Sequence, residues 1–208
     1  MPFDELNIIQ YSDKEVDAYL DDFFLPMELP FTEKEKRKDA AKDFRDVLLL
    51  LLLTIVYSVE SELIDWEYLR LRMISEFGNV AKKYARDDEF IRDFVDKASN
   101  DFIDVTRRHI DDGGRWLSDD RALEDAANYS NMTIGYEELQ EAIESGKTKK
   151  MWVSQKDGRV RHTHRVADGQ TVPIKGYFKV GNSLLAYPTD PEGEPEEVIN
   201  CRCHLSYK

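Results

Sequence analysis

Residues 47–57 (VLLLLLLTIVY) form the most apolar run of the chain and decide the kind of fold that it adopts. The run is shorter than the roughly 18–20 residues that a membrane-crossing helix needs, so it predicts a buried helix. Within and around the run, apolar residues recur at spacings of three and four: Phe44, Val47, Leu48, Leu51, Leu52, Ile55 and Val59. Leu49, Leu50 and Leu53 fill the remaining circumference. We therefore expect a central helix that is buried on most sides, either within the chain or by a neighbouring subunit.

Further helical patterns flank this run on both sides. Thr32 and Glu35 have the spacing of a capping box, which predicts that the central helix begins there. Helices are also predicted from Trp66 to Gly78, from Phe90 toward Gly113 and Gly114, from Ser118 to Asn131, and over residues 136–145. Apolar stripes of this kind are typical of the core of an antiparallel bundle rather than of a cofactor site.

The charge of the chain changes sharply near Gly146. The whole sequence has 29 basic and 42 acidic residues, a net charge of -13, which argues against a protein that wraps nucleic acid. Residues 1–146 carry a net charge of -17 and residues 147–208 one of +4. The sequence thus predicts an α+β protein with an extended or short helical arm (1–31), an acidic helical bundle (32–146) and a small β-rich domain (147–208).

The last part of the chain is rich in turn signals. They separate candidate strands over residues 151–155, 160–166, 177–180, 184–187 and 201–207. If residues 159–166 form a strand, the alternation of side chains places His162 and His164 on one face and the row Arg159, Arg161 and Arg165 on the other. Trp152, Tyr177, Phe178 and Tyr187 are expected to form the core of this unit, with Asp157 and Asp168 shaping turns.

The two cysteines, Cys201 and Cys203, allow three interpretations. His162, His164, Cys201 and Cys203 together offer the imidazoles and thiolates of a tetrahedral zinc site, although a Cys-x-Cys pair on a strand spreads its side chains about 7 Å apart. Two buried thiols with a histidine bonded to a carbonyl are an alternative. A disulfide between them is disfavoured, because so short a loop is strained.

A nucleolytic site is a second chemical hypothesis. Arg161, His164 and Asn200 have the groups to clamp a phosphate, act as a general base and orient a polar substrate during RNA cleavage. The same residues are also explained as turn anchors and surface charges. The row of arginines is likewise compatible with a solvated face that pairs with the acidic residues 192–197.

The order of several short motifs carries a family resemblance. They are Lys150 and Trp152, then Asp157, Arg159, Val160, Arg161 and His164, then Asp168-Gly169, Phe178, Tyr187-Pro188 with Asp190-Pro191, and finally Asn200-Cys201-Arg202-Cys203. This arrangement resembles the C-terminal domain of the Mu F-like minor head proteins of tailed bacteriophages, also called head morphogenesis proteins. Ala186 departs from the pattern, because a glycine often precedes the Tyr-Pro pair, and His162 is not a signature position.

The resemblance implies a function in the phage particle. Such a protein is expected inside the head near the portal, in few copies, assembled in the host cytoplasm, with portal, major capsid or scaffolding protein as partners and packaged DNA beside its C-terminal domain. It implies help in assembly, DNA packaging or ejection rather than enzymatic turnover. The family fold has also been likened to small ribonucleases, which leaves a ribonuclease-like toxin as the alternative. The start of the chain, MPFDELNIIQ, lacks the pattern of an export signal.

Overall fold

The computed structural model describes residues 11–112 and 118–208, and it has the α+β fold that the sequence predicts. The helices are α1 (Asp13–Phe24), α2 (Phe31–Glu60), α3 (Trp66–Tyr84), α4 (Asp88–Asp111), α5 (Asp119–Glu144), α6 (His162–Ala167) and α7 (Pro195–Val198). The strands are β1 (Lys149–Val153), β2 (Thr171–Pro173), β3 (Phe178–Val180), β4 (Ser183–Leu185) and β5 (His204–Tyr207). None of the helices in these two ranges has the length and apolar character needed to cross a bilayer.

Helix α2 is the centre of the helical part, as its apolar run predicts. Aromatic rings from four helices meet edge to face around it: Phe44 lies 5.1 Å from Phe77 and 6.2 Å from Phe94, and Phe77 lies 5.2 Å from Tyr129. Such edge-to-face pairs stabilise a core beyond the area that they bury. Leu48, Leu52 and Ile55 are fully buried beside them, whereas Leu50 is 52% exposed, so one side of α2 remains open to solvent.

The ends of α2 and α3 differ from the prediction. Helix α2 begins at Phe31 with Pro30 as its N-cap, so Thr32 lies inside the first turn and forms no capping box. Helix α3 continues through Gly78 to Tyr84, because Val80 and Ala81 extend its buried stripe. Helix α4 ends at Asp111, and the predicted stop at Gly113 and Gly114 lies outside the described residues.

The two helices predicted over residues 118–131 and 136–145 are one continuous helix, α5. The polar segment between them was expected to interrupt the helix, but its groups are buried and bonded. Ser130 donates to the carbonyl of Arg37 at 2.6 Å, and Thr133 donates to the carbonyl of Tyr129 at 2.8 Å. At Gly135 a β-carbon would lie 3.3 Å from the Tyr187 ring, so the glycine allows the C-terminal part to pack closely on α5.

The C-terminal part contains a three-stranded antiparallel sheet, with β1 between β2 and β5, and the hairpin β3–β4. Trp152 pairs with Leu205 in the sheet, and Phe178 pairs with Leu185 in the hairpin. Four of the five predicted strands thus correspond to β1, β3, β4 and β5, although their ends differ, and β2 was not predicted. Trp152, Phe178 and Tyr187 are buried as expected, but Tyr177 is 61% exposed because it precedes β3.

The prediction of a strand over residues 159–166 was wrong. The segment contains the short helix α6, in which His164 and Ala167 are buried on one side, a spacing of three that suits a helix. The last strand also begins later than predicted, at His204, and Cys201–Cys203 lie in a loop before it. These two differences determine the geometry of the candidate site.

One hydrophobic core connects the two parts of the chain. A single cluster of buried side chains includes Phe44, Phe77 and Ala126 from the helices together with Trp152 and Cys203 from the C-terminal part. A second, smaller cluster packs α1 on α2 and α5 through Leu20, Phe24, Ala41 and Leu123, among others. Helix α5 therefore contacts both the bundle and the sheet.

Candidate functional site

Helix α6 and the loop before β5 bring one histidine and both cysteines together. Nδ1 of His164 lies 3.4 Å from Sγ of Cys203 and 3.5 Å from Sγ of Cys201. One ligand atom from each of the three residues fits within a span of 4.8 Å. All three residues are buried, at 2%, 1% and 3% exposure. His162, the other predicted ligand, lies exposed at the start of α6 and outside this group.

The loop geometry explains how both cysteines reach the same histidine. Asn200 has a positive φ of 57°, which turns the chain just before Cys201, and the loop therefore lacks the side-chain alternation of a strand. Helix α5 holds this turn in place. The backbone N–H of Asn200 donates to Oδ1 of Asn128 at 2.7 Å, and Nδ2 of Asn131 donates to the carbonyl of Cys201 at 3.0 Å.

The second ring nitrogen of His164 faces a carboxylate that the sequence analysis did not single out. Nε2 lies 3.1 Å from Oε2 of Glu197, a residue of α7 that is itself buried. Thr163 donates its hydroxyl to the same oxygen at 2.7 Å. In the neutral ring this contact places the proton on Nε2 and leaves the Nδ1 lone pair facing the two sulfurs, whereas the protonated ring donates from Nδ1 to Cys201.

Burial and hydrogen bonding act against each other on the thiols. Burial by itself raises the pKa of Cys201, but hydrogen bonds from Cys203 and His164 hold that pKa well below its usual value. The pKa of Cys203 is raised, chiefly because it donates to Cys201 and also because it is buried. Burial tends to lower the pKa of His164, yet the neighbouring Cys201 sulfur raises it overall. The cluster thus favours a thiolate at Cys201.

The three residues of the nucleolytic hypothesis lie around one small cavity. Arg161, His164 and Asn200 border it together with the two cysteines, and its volume is about 10 Å³, close to that of a single water position. The Arg161 guanidinium donates to the carbonyl of Ile199, and the Asn200 side chain donates to Glu124. Both side chains are therefore bonded to groups of the protein itself. RNA cleavage at this site stays a prediction.

The bonds given for the predicted row of arginines go to groups other than residues 192–197. Arg159 pairs with Asp22 of α1 at 2.6 Å, and Arg161 donates to the carbonyl of Ile199. Arg202, which lies outside the row, makes a two-point contact with Asp157 at 2.7 and 3.0 Å. Arg165 donates to the carbonyl of Val160. Arg159, Arg161 and Arg202 line a groove of about 390 Å³ between α1 and the cysteine loop, so part of their charge is neutralised at its walls.

The other signature residues build the frame around this cluster. Trp152 packs edge to face against His164 at 5.6 Å and against Phe178 at 5.4 Å. Asp168 accepts the backbone N–H of Ser154 at 2.7 Å, and Gly169 follows with a φ of +77° that suits glycine. Pro188 is buried between Tyr187 and the loop of Asp190. We conclude that these residues position the cluster.

Comparison with known proteins gives a family match. Residues 112–206 match the family model described as "Phage Mu protein F like protein", which covers just under half of the chain. The matched range includes α5 and nearly all of the C-terminal part. Neither the curated proteins nor the solved structures include a significant match.

Proposed function

Because residues 112–206 belong to the phage Mu protein F-like family, we propose that the protein is a minor head protein of a tailed bacteriophage, which acts in head morphogenesis. The match itself carries the proposal, because it spans α5, the sheet and the cysteine loop, all of which share buried contacts. The protein acts by binding partners during assembly and not by turning over a substrate.

We assign docking on the portal or capsid to the helical part. Its net charge of -17 over residues 1–146 favours basic partner surfaces and opposes contact with DNA. It also exposes large apolar side chains: Leu50 and Tyr57, seven residues apart on one side of α2, are 52% and 71% exposed, and Leu71 of α3 is 52% exposed. Exposed apolar groups that lie together mark surfaces that another protein covers, and we propose that role for these side chains.

We propose that the C-terminal part faces the genome or the portal channel. Its net charge over residues 147–208 is +4, and Lys175, Lys179 and Arg165 are exposed. Charge of this sign supports weak, salt-dependent contact with phosphates and not sequence recognition. The protein would thus lie with opposite charges toward capsid and DNA.

Mass spectrometry of purified phage particles tests this function. The chain is quantified against portal and major capsid subunits in DNA-filled particles and in the shells left after triggered DNA release. Presence in few copies per filled particle is the expected result. Loss from emptied shells would indicate exit with the genome, and retention would indicate a fixed adaptor. Absence from both would overturn the proposal and favour a ribonuclease-like toxin.

A further inference from the structure

We propose that His164, Cys201 and Cys203 bind one zinc ion through Nδ1 and the two Sγ atoms, with Glu197 holding the histidine from behind. This site is independent of the proposed role in the phage head. It takes three of the four ligands that the sequence suggests and replaces the exposed His162 by a position that one water molecule can occupy.

The distances between the donor atoms agree with a tetrahedral ion. Zinc binds sulfur at about 2.3 Å and imidazole nitrogen at about 2.0–2.1 Å, so a sulfur and a nitrogen on one tetrahedral ion lie roughly 3.5 Å apart. The two sulfur-to-nitrogen distances at His164 are 3.4 and 3.5 Å. Both distances therefore already suit one shared ion, and the three donor atoms all lie within 4.8 Å of one another.

The second ring nitrogen of His164 has the kind of partner that metal-binding histidines usually have. A ligating histidine donates its other N–H to a carboxylate or carbonyl, which fixes the ring and its tautomer. Here Glu197 lies 3.1 Å from Nε2 of His164, and the hydroxyl of Thr163 holds the same carboxylate oxygen at 2.7 Å. The carboxylate is buried and comes from a separate helix, α7, so a chain neighbour does not explain the contact.

The small cavity beside the cluster supplies the fourth position. It borders His164, Cys201, Cys203 and Gln155, and its volume of about 10 Å³ fits one water molecule. Oε1 of Gln155 is buried and has no hydrogen-bond partner within the part of the chain that the structure describes. A water on the metal would give this oxygen a donor. Cys₂His sites with a water in the fourth position are an established kind of zinc centre.

A catalytic use of the same residues is less well supported by the geometry. Cys201, His164 and Glu197 line up as a nucleophile, a base and an orienting carboxylate would. However, Cys201 is only 1% exposed, and the adjoining cavity has no room for a substrate. Nδ1 also lies as close to Cys203 as to Cys201, which a nucleophile pair does not require but a shared ion does.

Metal analysis of the full-length chain tests the site. The protein is expressed with zinc in the medium and purified without chelator, and its metals are quantified by mass spectrometry. We expect about one zinc per chain in the wild type and less than about a tenth of an equivalent in Cys201→Ser, Cys203→Ser and His164→Gln. The matched control is His162→Gln, an exposed histidine on the same helix, which should keep its zinc. Glu197→Gln should weaken binding about 10–100-fold.

A second measurement does not depend on the folding of the variants. Cobalt added to metal-free wild-type protein should produce the thiolate charge-transfer absorption and the intense visible bands of a tetrahedral sulfur site, and zinc should abolish both. Less than about half an equivalent of zinc together with no cobalt spectrum would overturn the proposal. Equal zinc loss in His162→Gln would show that the ligand set is wrong, as would full zinc content in either cysteine variant.

Discussion

Arg37 and Glu138 form a buried two-point ion pair between α2 and α5, with N–O distances of 2.7 and 2.8 Å. The same guanidinium donates from Nε to Oδ1 of Asn131 at 3.0 Å. Asn131 in turn donates to the carbonyl of Cys201 at 3.0 Å. A continuous chain of bonds thus links the central helix, through α5, to the cysteine loop.

Removing Arg37 should be one of the costlier single changes in the helical part. The side chain is 1% exposed, and Arg37→Ala leaves Glu138 and Asn131 without their donor in a poorly hydrated place. We expect the free energy of unfolding to fall by about 3–5 kcal/mol, measured by urea denaturation at neutral pH. The control is Arg92→Ala, which breaks an exposed pair with Asp93 and should cost less than about 1 kcal/mol. Similar losses in the two variants would refute the importance of the buried chain of bonds.

Lys150 should make stability depend on pH in the alkaline range. It is 1% exposed and lies against the Phe178 ring at 5.6 Å, and burial lowers its pKa from 10.5 to about 8, with Asp190 opposing the shift. Above about pH 8 the folded state has lost this proton while the unfolded state keeps it, so stability should rise up to about pH 10.5.

The variant Lys150→Met isolates this effect. At pH 7 it should be more stable than the wild type by about 1–3 kcal/mol, because the cost of burying the charge disappears. The difference should shrink as the pH rises from about 8 through 10.5, because only above 10.5 is the lysine largely neutral in both states. Lys149→Met, its exposed neighbour on β1, serves as the control for denaturation curves at both pH values. A less stable Lys150→Met at pH 7 would show instead that the electrostatic attraction of Asp190 outweighs the cost of burying the charge.

Gly181 should tolerate no side chain. Its φ is +56°, and a β-carbon there would collide with the carboxylate of Glu197, the group that holds His164. We expect Gly181→Ala to lower the free energy of unfolding by at least about 1 kcal/mol. Gly158→Ala, where a β-carbon meets nothing within 4 Å, should stay within about 0.5 kcal/mol of the wild type. Equal stability of the two variants would mean that the β3–β4 turn and α7 are not packed as described.

The exposed apolar side of α2 should matter for assembly and not for folding. Leu50→Ser combined with Tyr57→Ser should change stability by less than about 1 kcal/mol, because both side chains are at least half exposed. Incorporation into particles, measured by mass spectrometry, should fall about tenfold, which corresponds to about 1.4 kcal/mol of lost contact. The control is Leu184→Ser in the C-terminal part, where the side chain is 61% exposed but lies outside this side of α2, and it should leave incorporation unchanged. Normal incorporation of the double variant would move the docking surface elsewhere.

The existence of the long helices could be predicted from their apolar spacing, but their ends could not. Gly78 and the polar residues around Asn131 looked like helix ends, and tertiary partners decided otherwise: the buried stripe continues past Gly78, and Asn131 is bonded on both sides. The pattern of residues 159–166 fits either two- or three-residue periodicity, so a short segment of this kind is undecidable without its packing. It became a helix because His164 and Ala167 are buried together.

Only part of the candidate site could be predicted from the sequence. His164, Cys201 and Cys203 are chemically distinctive, but Glu197 belongs to the acidic residues 192–197, whose pattern predicts only pairing with the row of arginines. Its role depends on the fold that brings α7 to α6, which no spacing along the chain reveals. His162 shows the opposite error, because a shared face was inferred from a strand that does not exist.

The core that joins helices and sheet has a consequence for how the chain comes apart. Trp152 and Cys203 pack in the same cluster as Phe44 and Phe77, so melting the helices would expose the apolar side of the sheet to water. Folding of the described chain should therefore be all-or-none, with a single calorimetric transition in place of two. Any process that pulls on one end of this molecule must overcome the stability of the whole before either half yields.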